Sequence, residues 1–294
     1  MKKHVKIIHR LVAYLGIEGF FVAAKKYLPW LIKFIPLHTA YKKAAHRLVK
    51  RDGVFFNVLL SDYMQWYVFA DIEDLSWRKA TQYVANNSII IDVGANCGAF
   101  ALKLAQYAHK SQISNFKIYA FEPNPLVFEQ LTDNLQLNPN LQAYVYPVNL
   151  GLGDKDATLN MIISADNTGG GAITTAEGLG EVQISVTSLD KFAGTENLTD
   201  VKFIKIDVEG FESLVLAGAE NSLKKWLPGI HIEITDEWLQ KHGSSQNAII
   251  DYFTKLGYEL YVEKNDKFVP IVNAYNYISN IFQYNLLAVL PKNS

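Results

Sequence analysis

Apolar positions along the chain switch between a period of two and a period near 3.6. Ser88-Ile89-Ile90-Ile91 is a β-branched run that reads as a buried strand. After it, Phe100, Ala101, Leu104, Ala105 and Ala108 recur at helical spacing. The same alternation predicts strands at 88–93, 117–122, 143–148, 201–207, 229–235, 258–263 and 284–290. It predicts helices at 97–109, 125–137, 211–224 and 245–256. Strands alternating with helices predict an α/β fold whose mostly parallel sheet is covered on both faces. Residues 54–70, VFFNVLLSDYMQWYVFA, read as two short strands around Ser61-Asp62. Residues 151–190 break the pattern: GDKDATLNMIISA and VQISVTSLD alternate like strands around NTGGGA. The expectation there is a β insertion carrying a glycine-rich loop, Asn167–Gly171, that helps to form an acceptor pocket.

Residues 1–52 form an amphipathic extension ahead of a main domain at 53–294. Ile8, Leu11, Val12 and Leu15 share one helical face, and Pro29 and Pro36 bracket WLIKFI. Charge sharpens the division. Residues 1–51 hold 12 Lys/Arg and one Glu, whereas the remainder holds 16 Lys/Arg and 28 Asp/Glu. Helices packed on the main domain, with their lysines in water, are the favoured reading of the extension. An amphipathic segment lying on an anionic membrane is the other. The acidic body argues against a nucleic-acid partner.

Composition adds little. Hydrophobic content of 49% and charged content of 19% describe an ordinary globular protein. A single cysteine, Cys97, excludes an internal disulfide framework and suits a reducing compartment. Arg10 and Glu18 interrupt the apolar N-terminal stretch and argue against a secretory signal. The expected location is cytoplasmic, with membrane association through residues 1–52 as the alternative.

The chemistry gathers at the strand ends. IDVGANCGAF, residues 91–100, is a strand-to-helix turn with an acid, Asp92, at its entrance and glycines at 94 and 98. A dinucleotide would want G-x-G-x-x-G, but Asn96 stands where the second glycine belongs. S-adenosylmethionine (SAM) carries a sulfonium and an ammonium, so a carboxylate at the turn suits it better. Glu122 ends the second strand, where an acid can accept hydrogen bonds from both ribose hydroxyls of an adenosine ligand. Asn124 then caps a helix that starts at Pro125. Asn149 and Leu150 end the third strand, where an adenine ring needs walls. Lys205 and Asp207 project to one side of their strand, and His231 and Glu233 to one side of the next. Asp207, Glu209 and Glu233 should gather beyond the strand tips, beside the turn.

Together IDVGANCG, FEPNP, VKFIKIDVEGFESLVLAGA and HIEI resemble the FkbM-type SAM-dependent methyltransferases, over about 53–264. The resemblance implies a class I methyltransferase sheet with a reversed final hairpin. It also implies O-methylation, often of sugar or polyketide hydroxyls. Asp92, Gly94 and Asn96 would line the methionine end of SAM, Glu122 would hold the ribose, and Asp207 would lie by the sulfonium. The expected cofactor-binding set is Asp92, Gly94, Ala95, Asn96, Gly98, Glu122, Asn124, Asn149, Leu150 and Asp207. The expected catalytic set is Asp207, Glu209 and Glu233. One of these acids would remove the hydroxyl proton, or several would hold a divalent cation that acidifies the hydroxyl. A small molecule or glycan is the expected acceptor. Competing readings are an NAD-linked oxidoreductase and a non-catalytic module that binds glycolipid.

Overall fold

The computed structural model describes residues 3–41, 45–72, 74–164, 167–174, 182–264, 267–271 and 282–291. The chain divides into two units: residues 1–73 with 163–171, and residues 74–162 with 172–294.

The first unit opens with α1 (Lys3–Leu15) and α2 (Glu18–Ala24), followed by a 3-10 turn at Pro29–Phe34. A hairpin of β1 (His46–Arg51) and β2 (Val54–Leu59) comes next. Its two-residue turn is Asp52-Gly53, with φ of 50° and 95°, the left-handed pair that matches strand twist. The boundary expected between 52 and 53 falls inside this turn, so the hairpin spans it. The expectation of two strands over 54–70 fails in its second half, because Tyr63–Ala70 is helix α3. Asp62 caps it, accepting the Gln65 N–H at 3.0 Å, and Gln65 Oε1 reaches back to the Leu59 N–H at 2.8 Å. The Trp66 indole donates to the Pro36 carbonyl at 2.7 Å. Local capping and tertiary anchoring therefore override the strand preference of this aromatic run.

The second unit begins with α4 (Leu75–Ala80). Next come β3 (Ile89–Val93), α5 (Ala99–Lys110), β4 (Lys117–Phe121), α6 (Pro125–Gln136) and β5 (Val145–Val148). Then β6 (Gly151–Leu152), β7 (Ala157–Ser164), β8 (Asn167–Thr174) and β9 (Val182–Thr187) form the expected β insertion, in the order β6-β9-β7-β8, with residues 163–171 of it counted in the first unit. The glycine-rich segment is a correction: it is strand β8, not a loop. Its backbone pairs along β7, which satisfies more N–H and C=O groups than a loop would, and an edge strand tolerates glycine.

After the insertion come α7 (Leu189–Thr195), β10 (Val201–Ile206), α8 (Glu212–Ala217) and α9 (Glu220–Trp226). The chain ends with β11 (Gly229–Thr235), α10 (Asp236–Lys241), α11 (Gln246–Lys255), β12 (Glu259–Lys264), β13 (Lys267–Pro270) and β14 (Gln283–Val289). The single helix expected at 211–224 is broken at Gly218. A Cβ there would lie 1.9 Å from the Gly153 carbonyl oxygen, so the backbones approach too closely for any side chain.

The eight-stranded sheet has the order β13-β12-β14-β11-β10-β3-β4-β5. Strands β3, β4, β5, β10 and β11 are parallel, and β14 runs against both β11 and β12. This is a Rossmann-like, mostly parallel sheet with a reversed final hairpin, as the resemblance implies. Ile91, Val93, Ile204, Ile206, Ile230, Ile232, Ile234 and Leu286 fill its core. Strands buried on both faces explain the near-continuous apolar runs.

Candidate active site

The turn after β3 is held open by left-handed backbone. Gly94, Asn96 and Gly98 have φ of 79°, 53° and 87°. Asparagine adopts that conformation more readily than other side chains, which is why it can stand in place of a glycine. Its Oδ1 accepts the Cys97 N–H at 2.6 Å. A Cβ on Gly94 would lie 1.9 Å from the Asp207 carbonyl oxygen, so the turn and the tip of β10 are in backbone contact. A Cβ on Gly98 would lie 2.4 Å from Leu131. The N–H groups of Gly94 and Ala95 both donate to the Phe121 carbonyl, at 3.0 and 2.9 Å. Gly94, Ala95 and Gly98 thus shape the turn.

Glu122 is buried beside it. One carboxylate oxygen accepts the Asn96 N–H at 2.9 Å and the other the Asn124 N–H at 3.0 Å. Burial pushes this carboxyl up to about 7, against the pull of those two N–H groups. Asn124 is committed to the fold: it caps α6 through the Leu126 N–H at 3.1 Å. Asn149 is exposed and ties the strand ends together, donating to the carbonyls of Glu122 at 2.8 Å and Pro123 at 3.2 Å. Leu150 is half-buried next to it.

Register lines up Asp92, Lys205 and His231 across β3, β10 and β11. Asp207 and Glu233 lie two residues further along, on the same side. Lys205 Nζ sits 3.1 Å from Asp207 and 3.7 Å from Asp92. Burial alone would depress the ammonium, but Asp207 and Asp92 outweigh it and raise its pKa. Burial pushes Asp92 up to about 6, with Lys205 opposing. Both Asp92 oxygens are buried without a hydrogen-bond partner. Burial also pushes Glu233 up to about 9, reinforced by Asp207. For Asp207, burial is outweighed by Lys205 and by hydrogen bonds from Lys205 and Glu233, which hold its carboxyl below the usual range. The two carboxyls titrate as a pair, with Asp207 shifted toward its charged form and Glu233 toward its neutral form.

Glu209 adopts a left-handed φ of 54° on the turn after β10. Burial, with Asp207 and Glu212 nearby, pushes it up to about 8. Among the described residues, no three His, Cys, Asp or Glu side chains are grouped to hold a metal ion. Asp207, Glu209 and Glu233 are no exception; the cation at Asp207 is the Lys205 ammonium. The expected catalytic and cofactor sets omitted three residues that shape this site. Lys205 and His231 were visible as polar breaks in apolar strands. His231 is buried with neither ring nitrogen hydrogen-bonded, and burial pulls it down to about 4. Glu212, which accepts the Gly210 N–H at 3.0 Å, had no local signal.

These residues suit SAM. Two carboxylates, Asp92 and Asp207, face one ammonium, leaving a buried negative balance and two unsatisfied acceptor oxygens for a cationic ligand.

Residues 92–260 match the methyltransferase FkbM domain family. Methyltransferase 1 of Beauveria bassiana is 28% identical over 173 residues, 51% of this chain and 66% of that protein. Hexuronic acid methyltransferase AglP of Haloferax volcanii is 29% identical over 147 residues, 50% of this chain and 56% of that protein. The chain thus spans less than two thirds of the length of these relatives. A solved FkbM methyltransferase from Methylobacillus flagellatus KT superposes with a TM-score of 0.43 at 14% identity, covering 91% of this chain and 54% of that one. Running from Asp92 at the tip of β3 to Leu260 in β12, the family match takes in the glycine turn, the buried acids and more than half of the chain, which therefore belongs to the FkbM methyltransferase family.

Proposed function

We propose that the protein is a SAM-dependent O-methyltransferase whose acceptor is a hydroxyl of a sugar or a related natural product. The carrying observation is the carboxyl pair Asp207–Glu233, with the tip of β10 at Asp207 in backbone contact with the Gly94 turn. The name of the Haloferax volcanii relative, a hexuronic acid methyltransferase, supports a sugar acceptor.

SAM, when bound, supplies an electrophilic methyl group on a positively charged sulfur. Asp92, Gly94 and Asn96 would hold its methionine end and Glu122 its ribose. A sugar hydroxyl is a weak nucleophile until its proton has somewhere to go. Asp207 is the group ready to take it at neutral pH. Lys205 holds its carboxyl below the usual range and fixes its orientation. Glu233, pushed up to about 9, is placed to donate to Asp207, and burial pushes Glu209 up to about 8. Asp207 would receive the proton of the acceptor hydroxyl, while SAM, when bound, would supply the methyl group and leave as the neutral thioether once its carbon–sulfur bond breaks.

Turnover of radiolabelled SAM against a panel of sugars and glycans tests the reading, with calorimetry against SAM and NAD as the cofactor control. Asp207→Asn should cut kcat by about 10²–10⁴-fold while SAM still binds. Glu233→Gln keeps a hydrogen-bond donor toward Asp207 and should cost less than about tenfold at pH 7. Equal losses in the two variants, with wild-type activity climbing toward pH 9, would reassign the base to Glu233. NAD binding without SAM binding would overturn the reading altogether.

A further inference from the structure

The first unit carries its apolar stripe on the outside. Ile7, Leu11, Tyr14 and Leu15 of α1 fall at i, i+4, i+7 and i+8, the spacing of a helix's buried face. All four are exposed, Tyr14 at 87%. The side of α1 turned inward holds Val12 and His9, and His9 Nε2 pairs with the Lys33 carbonyl at 2.9 Å. Val12 therefore leaves the apolar face expected from the sequence, whereas Ile8, Leu11 and Leu15 remain outside. Phe20, Tyr27 and Trp30 are exposed as well, at 66%, 80% and 54%. Monomeric proteins seldom leave so much aromatic and aliphatic surface in water.

Charge identifies what covers it. The only acid in residues 1–51, Glu18, is buried and paired with Arg47 at 2.7 Å. Its charge is thereby cancelled inside the unit. Arg10, Lys26 and Lys33 are exposed among the apolar side chains. A second copy docked by the same surface would set cation against cation. Tyrosine and tryptophan beside lysine and arginine match a lipid interface, where rings sit at headgroup depth and cations meet anionic lipids. No single described helix is long and apolar enough to cross a bilayer. The one pair that passes together, Ile7–Leu15 with Glu18–Ala24, is bent by 104°, which suits lying in the interface plane.

We propose that residues 7–33 dock this protein on the surface of an anionic phospholipid bilayer. The inference does not depend on the proposed catalytic activity. Its test is co-sedimentation of the full chain with vesicles of phosphatidylcholine alone or with added phosphatidylglycerol, at low and high salt. The protein should sediment with the anionic vesicles at low salt and far less with neutral ones. The triple variant Arg10→Glu, Lys26→Glu, Lys33→Glu should weaken binding by about 10²-fold, since each basic residue near the surface contributes roughly fivefold. Leu11→Ser with Tyr14→Ser and Trp30→Ser should weaken it by at least about tenfold. Unchanged circular dichroism and SAM affinity would show that the variants remain folded. Protein left in solution with anionic vesicles overturns the proposal, as does full binding by the charge-reversed variant. A wild-type dimer abolished by Leu11→Ser also overturns it, because the face would then belong to a second copy.

Discussion

Glu122 serves the fold and, in the proposed function, the ligand as well. Its position at the tip of β4 was legible from the sequence, because the strand ends where the apolar run ends. The two N–H groups it accepts, from Asn96 and Asn124, were not, since they lie on a turn and a helix start that only folding brings together. Each carboxylate oxygen keeps a lone pair for a ribose hydroxyl. Glu122→Ala should lower SAM affinity by about 30–150-fold, the worth of two charge-assisted hydrogen bonds. It should also lower stability by about 1–3 kcal/mol for each N–H left without an acceptor. Glu122→Gln, which retains one carbonyl oxygen, should do less on both counts. Calorimetry and thermal melts read the two effects separately. A fully stable alanine variant that has lost SAM would assign Glu122 to the ligand alone.

At the scale of elements, long buried strands were legible and short context-dependent ones were not. The expected 201–207, 229–235 and 284–290 correspond to β10, β11 and β14 within a residue at either end. Tyr63–Ala70 went the other way. Its composition favours a strand, but the Asp62 cap, the Gln65 return bond and the Trp66 anchor make it helical. Asp62→Ala should therefore cost about 1 kcal/mol, within a range of roughly 0.5–2, read as a lower denaturant midpoint at unchanged slope. An unaltered midpoint would mean that the Trp66 anchor holds α3 without its cap. Asp52-Gly53 was a legible turn signal for the β1–β2 hairpin. The aromatic run after Ser61 offered a competing partner for β2, and residues 46–51 have too few apolar side chains to read as a strand.

For the whole molecule, burial of so many carboxyls sets the pH dependence of stability. Glu122 and Glu212 are pushed up to about 7, Glu209 to about 8 and Glu233 to about 9, each mainly by burial. In the unfolded chain these groups lose their protons near 4.5. Between those values the folded state binds more protons than the unfolded one, so stability falls as pH rises. His231 opposes this in acid: its folded value near 4 lies below 6.5, so it adds stability as pH climbs toward 6.5. Between 6.5 and 9 the raised carboxyls set the trend. Without ligand, the melting temperature should fall steadily from pH 6.5 to 9, as stability drops by at most about 1.4 kcal/mol per pH unit for each carboxyl still protonated only in the fold. Glu233→Gln should flatten the curve between pH 8 and 9. A melting temperature that is constant or rising across this window would show that these acids are ionised in the native state.

The sequence by itself determined the alternating α/β order, the glycine turn with its acid, and the acids at the strand tips. Each follows from local periodicity, turn chemistry or the end of an apolar run. Tertiary structure decided in which direction each of those acids is shifted. That depends on Lys205 standing beside Asp92 on the neighbouring strand and Asp207 two residues along its own, and on how deeply each carboxyl is buried. It also decided that Asn167–Thr174 is a strand, because pairing along β7 outweighs the freedom of its glycines. The outward turn of α1 belongs to the same class. An amphipathic pattern specifies that a helix has two faces, but the packing of His9 and Val12 selects the face that meets the protein.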